Sequence, residues 1–130
     1  SIAAFSLGFA QAALDHAVAY ANEREQFKAK LRQFEGIQFK LADMTTRTEA
    51  ARALLERAAR EGTESMTAMA KVFASETAMW VTTQAVQIFG GYGYMRDYPV
   101  EKLMRDAKAM EMLEGADELL RVEIAESLYE

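Results

Sequence analysis

With 130 residues, 51% of them hydrophobic and 27% charged, the chain has material for one buried core. Its 15 basic and 20 acidic residues give a formal charge of −5, which argues against a broad nucleic-acid surface because phosphate binding needs concentrated positive charge. The absence of cysteine removes disulfides and thiol chemistry, and one proline with seven glycines leaves little for linkers.

The opening SIAAFSLGFAQAAL is apolar without a basic leader, and its periodicity continues into HAVAYANERE, so it reads as a folded helix and not as a secretion signal. No uninterrupted apolar run approaches the roughly 20 residues of a membrane span. The chain therefore reads as soluble and cytoplasmic in style, with no membrane contact. Good helix formers dominate throughout. A first helix is predicted over 2–27, with Leu7, Ala10, Leu14, Ala17, Val18 and Ala21 on its apolar side. A second is predicted from 36 to about 60, where Ile37, Leu41, Met44, Thr48, Ala51, Leu55 and Ala58 follow steps of three and four.

Gly62 supplies a stop, and Thr63 or Ser65 can cap the next helix. That third helix is expected over about 64–89, carrying Met66, Met69, Phe73, Trp80, Val81, Ala85 and Ile88 inward. GGYGYMRDY then reads as a structured loop, and Pro99 suits the first turn of a fourth helix, where its missing amide costs nothing. Val100, Leu103, Ala107 and Met110 continue the inward face, and Leu120, Ile124 and Leu128 resume it past a light break at Glu114-Gly115. Strand is not expected, since the helical period runs through the best candidate, VTTQAVQIF. Four helices of about 25 residues with short joins predict an all-α, antiparallel up-and-down four-helix bundle.

Several residues could carry chemistry. A di-iron centre needs paired Glu-x-x-His arrangements, and the one histidine, His16, follows Ala13 at that spacing, so the ligand set cannot form within one subunit. His16 reads as a surface or boundary residue. Arg24, late in the first helix, is either a solvated partner of a nearby glutamate or an anion contact through its two parallel N–H bonds. GGYGY is either an ordinary turn or a surface where backbone comes close to a cofactor. It is not a dinucleotide fingerprint, because a helix and not a strand precedes it. Glu114 is either a solvated helical glutamate or, among Met110, Leu113 and Gly115, a shielded carboxylate able to act as a base.

Four segments, ALDHAVAYANEREQF, IQFKLADMTTRTEAARALLERAA, AMAKVFASETAMWVTTQAVQIFGGYGY and DYPVEKLMRDAKAMEMLEGADELLR, follow one another in an order that resembles the C-terminal helical domain of flavin-dependent acyl-CoA dehydrogenases. The resemblance covers nearly all 130 residues. In that family the domain follows an N-terminal helical domain and a middle β-barrel domain, neither of which lies in these residues. The resemblance implies α,β-dehydrogenation of an acyl-CoA with hydride transfer to FAD, carried out by a complete protein and not by these residues alone. Glu114 matches the family's catalytic base, with Leu113 and Gly115 beside it on the substrate side. Arg24 matches an arginine on the FAD pyrophosphate, Phe27 the aromatic three residues later, and Gln87, Gly90 and Gly91 the Q-x-F-G-G segment around the cofactor of a neighbouring subunit. Arg105 and Asp106 match an R-D-A-K segment, for which an ion-paired structural role is expected.

A homodimer or homotetramer and an electron-transfer flavoprotein as onward acceptor are further implications. The chain departs from the family pattern at Lys28 (usually glycine), Glu35 (glutamine), Leu113 (tyrosine), Ala116 (threonine) and Leu120 (glutamine). Lys28, Glu35 and Ala116, with the two family domains that these residues do not include, support a rival reading, a non-catalytic helical assembly module with a degraded flavin site.

Overall fold

Ser1 starts the first helix by accepting a hydrogen bond from the Ala4 amide, 3.2 Å from its hydroxyl. In the computed structural model, which describes residues 1–113 and 116–130, this helix (α1) runs Ile2–Glu23. By length and composition alone α1 could cross a membrane, although no unbroken apolar run marks it in the sequence. Its apolarity is spread over alanines separated by polar residues. Ala3, Leu7, Ala10, Ala13, Leu14, Ala17 and Ala21 are buried on one side, and small residues there let α1 lie close to its neighbours.

α1 stops four residues short of its predicted end. Residues 25–30 turn back as an antiparallel hairpin of β1 (Glu25–Gln26) and β2 (Ala29–Lys30), which corrects the expectation of no strand. Phe27 and Lys28 form the turn with φ of +52° and +64°. A two-residue hairpin turn needs positive φ at both centres, usually announced by asparagine or glycine. Here two side-chain-bearing residues take that conformation, so no turn signal was visible.

After a short 3-10 turn, Leu31–Gln33, α2 spans Glu35–Glu61 and ends at Gly62, whose φ of +67° is the left-handed cap that glycine adopts without strain. α3 spans Glu64–Phe89, with the Thr63 hydroxyl accepting from the Met66 amide at 3.3 Å. It packs against every other helix. Met44 of α2 and Val81 of α3 are fully buried with Val100 at the core centre. Val18, Phe73 and Leu128, all expected inward, are exposed. Trp80 is half-buried beneath the Arg47 guanidinium, 4.1 Å from its ring centre.

The predicted fourth helix is two: α4 (Val100–Met112) and α5 (Asp117–Ser127). Leu113 and Ala116 have extended backbone, with ψ of 150° and 143°, so helical geometry ends at one and restarts after the other. The described residues thus form an all-α bundle of five helices, and the four-helix up-and-down bundle is corrected. The light break expected at Glu114-Gly115 is a full one: extended backbone at Leu113 and Ala116 separates two helices.

The join between α3 and α4 depends on glycines for different reasons. Gly90 has φ of +61° and ψ of −134°, a region closed to side-chain-bearing residues. Gly93 has no room: a Cβ there would sit 2.4 Å from the Val86 carbonyl oxygen. A Cβ at Gly91 meets nothing. Gly93→Ala is therefore expected to lower the unfolding free energy by about 1–3 kcal/mol, whereas Gly91→Ala stays within about 0.5 kcal/mol of wild type. Urea denaturation of the two variants tests this; equal losses would contradict the close approach at Gly93.

Candidate functional site

The end of α3, the end of α1 and the β-hairpin enclose an open pocket of about 330 Å³ lined by Arg24, Gln87, Gly90 and Gly91, among others. Four of the five residues expected to meet a cofactor thus come together from segments more than 60 positions apart. Arg24 follows α1 directly; its amide donates to the Tyr20 carbonyl at 2.8 Å, and its carbonyl accepts from Leu31 at 2.9 Å. The last turn of α1 and the 3-10 turn after the hairpin therefore hold this residue's backbone from both directions. Its guanidinium lies 5.7 Å from the Tyr92 ring centre. Among the described residues no carboxylate pairs with it.

Gln87 is fixed from α2. The Lys40 ammonium donates to the side-chain oxygens of Gln84 at 2.8 Å and Gln87 at 3.2 Å. No spacing rule pointed to Lys40, because its partners lie on another helix. Beneath the glycines, Tyr20 stacks on Phe89 with ring centres 4.1 Å apart, and Tyr98 meets both Phe89 (5.6 Å) and Tyr92 (5.4 Å). This aromatic floor carries the loop that supplies Gly90 and Gly91.

Phe27, the fifth expected residue, is not in the pocket; it is 91% exposed at the hairpin tip. Lys28 beside it has the left-handed backbone that suits glycine, and it is exposed and absent from the pocket lining. Glu35 is the first residue of α2, where a carboxylate is favoured by the helix's unpaired amides.

The second expected region lies at the α4–α5 join. Leu113 ends α4 and is 46% exposed. Glu114 and Gly115 lie outside the described residues. Ala116 precedes α5 with no side chain able to cap it. Arg105 pairs with Glu101 at 2.7 Å and Asp106 with Lys102 at 2.6 Å, each four residues back along α4, as an ion-paired structural role requires. Sequence reasoning missed a buried group nearby: the Lys71 ammonium lies 2.6 Å from an Asp117 carboxylate oxygen, and the Ser75 hydroxyl is 3.0 Å from the other. His16 is exposed on α1.

Comparison with known proteins adds a family. The family described as acyl-CoA dehydrogenase, C-terminal domain, matches residues 1–129. An acyl-CoA dehydrogenase of Bacillus subtilis (strain 168) is 51% identical over 132 residues, covering 98% of this chain and 35% of that protein. The structure of butyryl-CoA dehydrogenase from Megasphaera elsdenii superposes with a TM-score of 0.96 at 47% identity, over 99% of this chain and 35% of the other. A chain in a structure of the electron transferring flavoprotein of Acidaminococcus fermentans gives a TM-score of 0.95 at 48% identity, again over 98% and 35%. The chain spans about a third of the length of these relatives.

Tyr20 reports on the pocket's electrostatics. Burial pushes its phenol above the usual tyrosine value, and the Arg24 charge partly opposes that rise. Because the folded value exceeds the unfolded one, the neutral phenol's contribution to stability is complete below about pH 10 and is lost as pH rises through the folded value. Arg24→Gln is expected to move this ionisation further up. Tyrosinate absorbance, with Tyr20→Phe identifying the transition, checks it; a downward move would contradict the placement of Arg24 beside Tyr20.

Proposed function

The chain belongs to the acyl-CoA dehydrogenase family as its C-terminal domain, and from that premise we propose that it is part of a longer flavoprotein that introduces an α,β double bond into an acyl-CoA thioester. One observation carries the reading: a guanidinium with no carboxylate partner among the described residues, a held glutamine amide and two glycines line one open pocket. This donor set fits the FAD pyrophosphate. Arg24 offers paired N–H donors matched to phosphate oxygens, the Gln87 side chain is presented by Lys40, and Gly90 and Gly91 allow a ligand to reach the backbone. Lys28, one of the departures from the family pattern, is not among the lining residues.

In this reading FAD, when bound, supplies the hydride acceptor. The chain supplies the proton acceptor: the Glu114 carboxylate removes the proton α to the thioester carbonyl, with Leu113 and Gly115 on the acyl side. Such a base contributes about 10²- to 10⁴-fold to the rate. Arg24, Gln87, Gly90 and Gly91 hold the cofactor of a neighbouring subunit, which requires a homodimer or homotetramer. The family's N-terminal helical and middle β-barrel domains complete the site. An electron-transfer flavoprotein is the onward acceptor, in keeping with the likeness to a chain in the Acidaminococcus fermentans structure.

Two substitutions in the intact protein test the roles separately. Glu114→Gln is expected to retain FAD and to slow anaerobic flavin reduction by acyl-CoA at least 10²-fold; reduction at the wild-type rate would refute the assigned base. Arg24→Ala is expected to weaken FAD retention by about tenfold or more, the worth of a charge-assisted hydrogen bond. Flavin titration of the apoprotein measures this, and an unchanged dissociation constant would reject the pyrophosphate contact.

A further inference from the structure

Lys71 is 5% exposed, and lysine is rarely buried unless its charge is met. Its ammonium sits 2.6 Å from Asp117 Oδ1 and 3.1 Å from the Glu111 carbonyl oxygen. Ser75, one turn further along α3 and fully buried, donates its hydroxyl toward both Asp117 oxygens, at 3.0 and 3.4 Å, and lies 3.1 Å from the Val72 carbonyl. Glu111 belongs to the last turn of α4, and Asp117 is the first residue of α5. A single amine on α3 therefore ties the end of one helix to the start of the next.

Both ties follow the helix dipoles. The last four carbonyls of a helix have no partner within it, and a cation there is favoured; the first amides of a helix favour an anion. Lys71 places its charge at the end of α4, and Asp117 places the opposite charge at the start of α5, whose preceding residue, Ala116, offers no side-chain cap. Position 114 is three residues from each of the two tied residues. We propose that Lys71, supported by Ser75 and Asp117, is a positioning residue that holds the two ends of this join, Glu111 and Asp117, in the geometry the proposed reaction uses. The proposal rests on the reading of Glu114 as the base.

A buried ion pair could instead serve stability alone, so the test separates the two. Lys71→Met combined with Asp117→Asn removes both charges together and leaves neither buried alone, a change that folded proteins tolerate far better than loss of one partner. In the intact flavoprotein this double variant is expected to keep its flavin content and its acyl-CoA dissociation constant. Flavin reduction at saturating acyl-CoA should slow at least tenfold, and amide hydrogen exchange at residues 111–113 and 117–119 should quicken at least tenfold while central α3 is unchanged. Wild-type exchange at those residues would overturn the proposal, as would quickened exchange with an unchanged reduction rate. Should the double variant not fold, Ser75→Ala, which removes only a neutral partner, must show the same paired changes to a smaller degree, and their absence overturns the proposal equally. If Glu114→Gln reduces flavin normally, the base assignment fails by itself, and exchange alone decides whether Lys71 fixes the join.

Discussion

Every other helix leans on α3, and α3 can accept neighbours on all sides because its surface is built from small residues. Ala68, Ala70, Ala74, Ala78 and Ala85 are buried along its length, interleaved with Ser75, Thr77 and Thr82. Short side chains let helix axes approach closely, and the helix loses little conformational entropy by carrying them. The buried hydroxyls need partners: Thr82 donates to the Ala78 carbonyl at 2.7 Å within the helix, and Ser75 meets the Asp117 carboxylate at 3.0 Å across to α5. α3 thus has no single apolar stripe of the kind that marks α2, and a period-based reading locates the helix better than it identifies its faces.

The position of α3 governs both candidate regions. Its C-terminal end delivers Gln87, then Gly90 and Gly91, to the pocket where Arg24 arrives from α1. Its N-terminal half delivers Lys71 and Ser75 to the join between α4 and α5. In the proposed enzyme these are a cofactor side and a substrate side held by one rigid element. The departures from the family pattern then acquire different weights. Lys28 and Glu35 fall outside the pocket lining, at a turn and at a helix start that tolerate them. Ala116 and Leu113 flank the join itself, so altered chemistry or chain preference would originate there.

Helical period and end signals made much of this legible. α3 begins and ends where Thr63 and the glycines indicated, and α2 differs by about one residue at each end. Gly62 acted as the stop it was read to be. What escaped was decided by backbone geometry without the usual residue, or by contacts across helices. Phe27 and Lys28 make a tight turn without glycine, so the first helix is predicted four residues too long, and Phe27, expected beside a cofactor from the family resemblance, sits at the hairpin tip. The α4–α5 break was legible in position but not in extent, because apolar residues resume beyond it at Leu120, Ile124 and Leu128. Lys71 carried no local signal, since Glu111 and Asp117 lie 40 and 46 positions away. The pocket residues were grouped by family resemblance; their spacing alone had left both Arg24 and GGYGY open.

The exposed apolar surface completes the physical picture. On α5 and just beyond it, Leu119, Val122, Leu128 and Tyr129 are exposed, and Phe5, Phe39 and Met112 are exposed elsewhere. Scattered apolar exposure is ordinary, but several large side chains along one short terminal helix leave that helix weakly held by burial. Within the described residues, α5 buries only Asp117, and that residue is held by charge. The Lys71–Asp117 pair therefore matters more to α5 than an ion pair matters to a helix with a full apolar face. If α5 gains its remaining burial from other domains or a second subunit, as the proposed assembly requires, the pair fixes the start of the helix while the partner surface fixes the rest. In the proposed enzyme, assembly and the start of α5 would then be mechanically coupled through a helix of 11 residues.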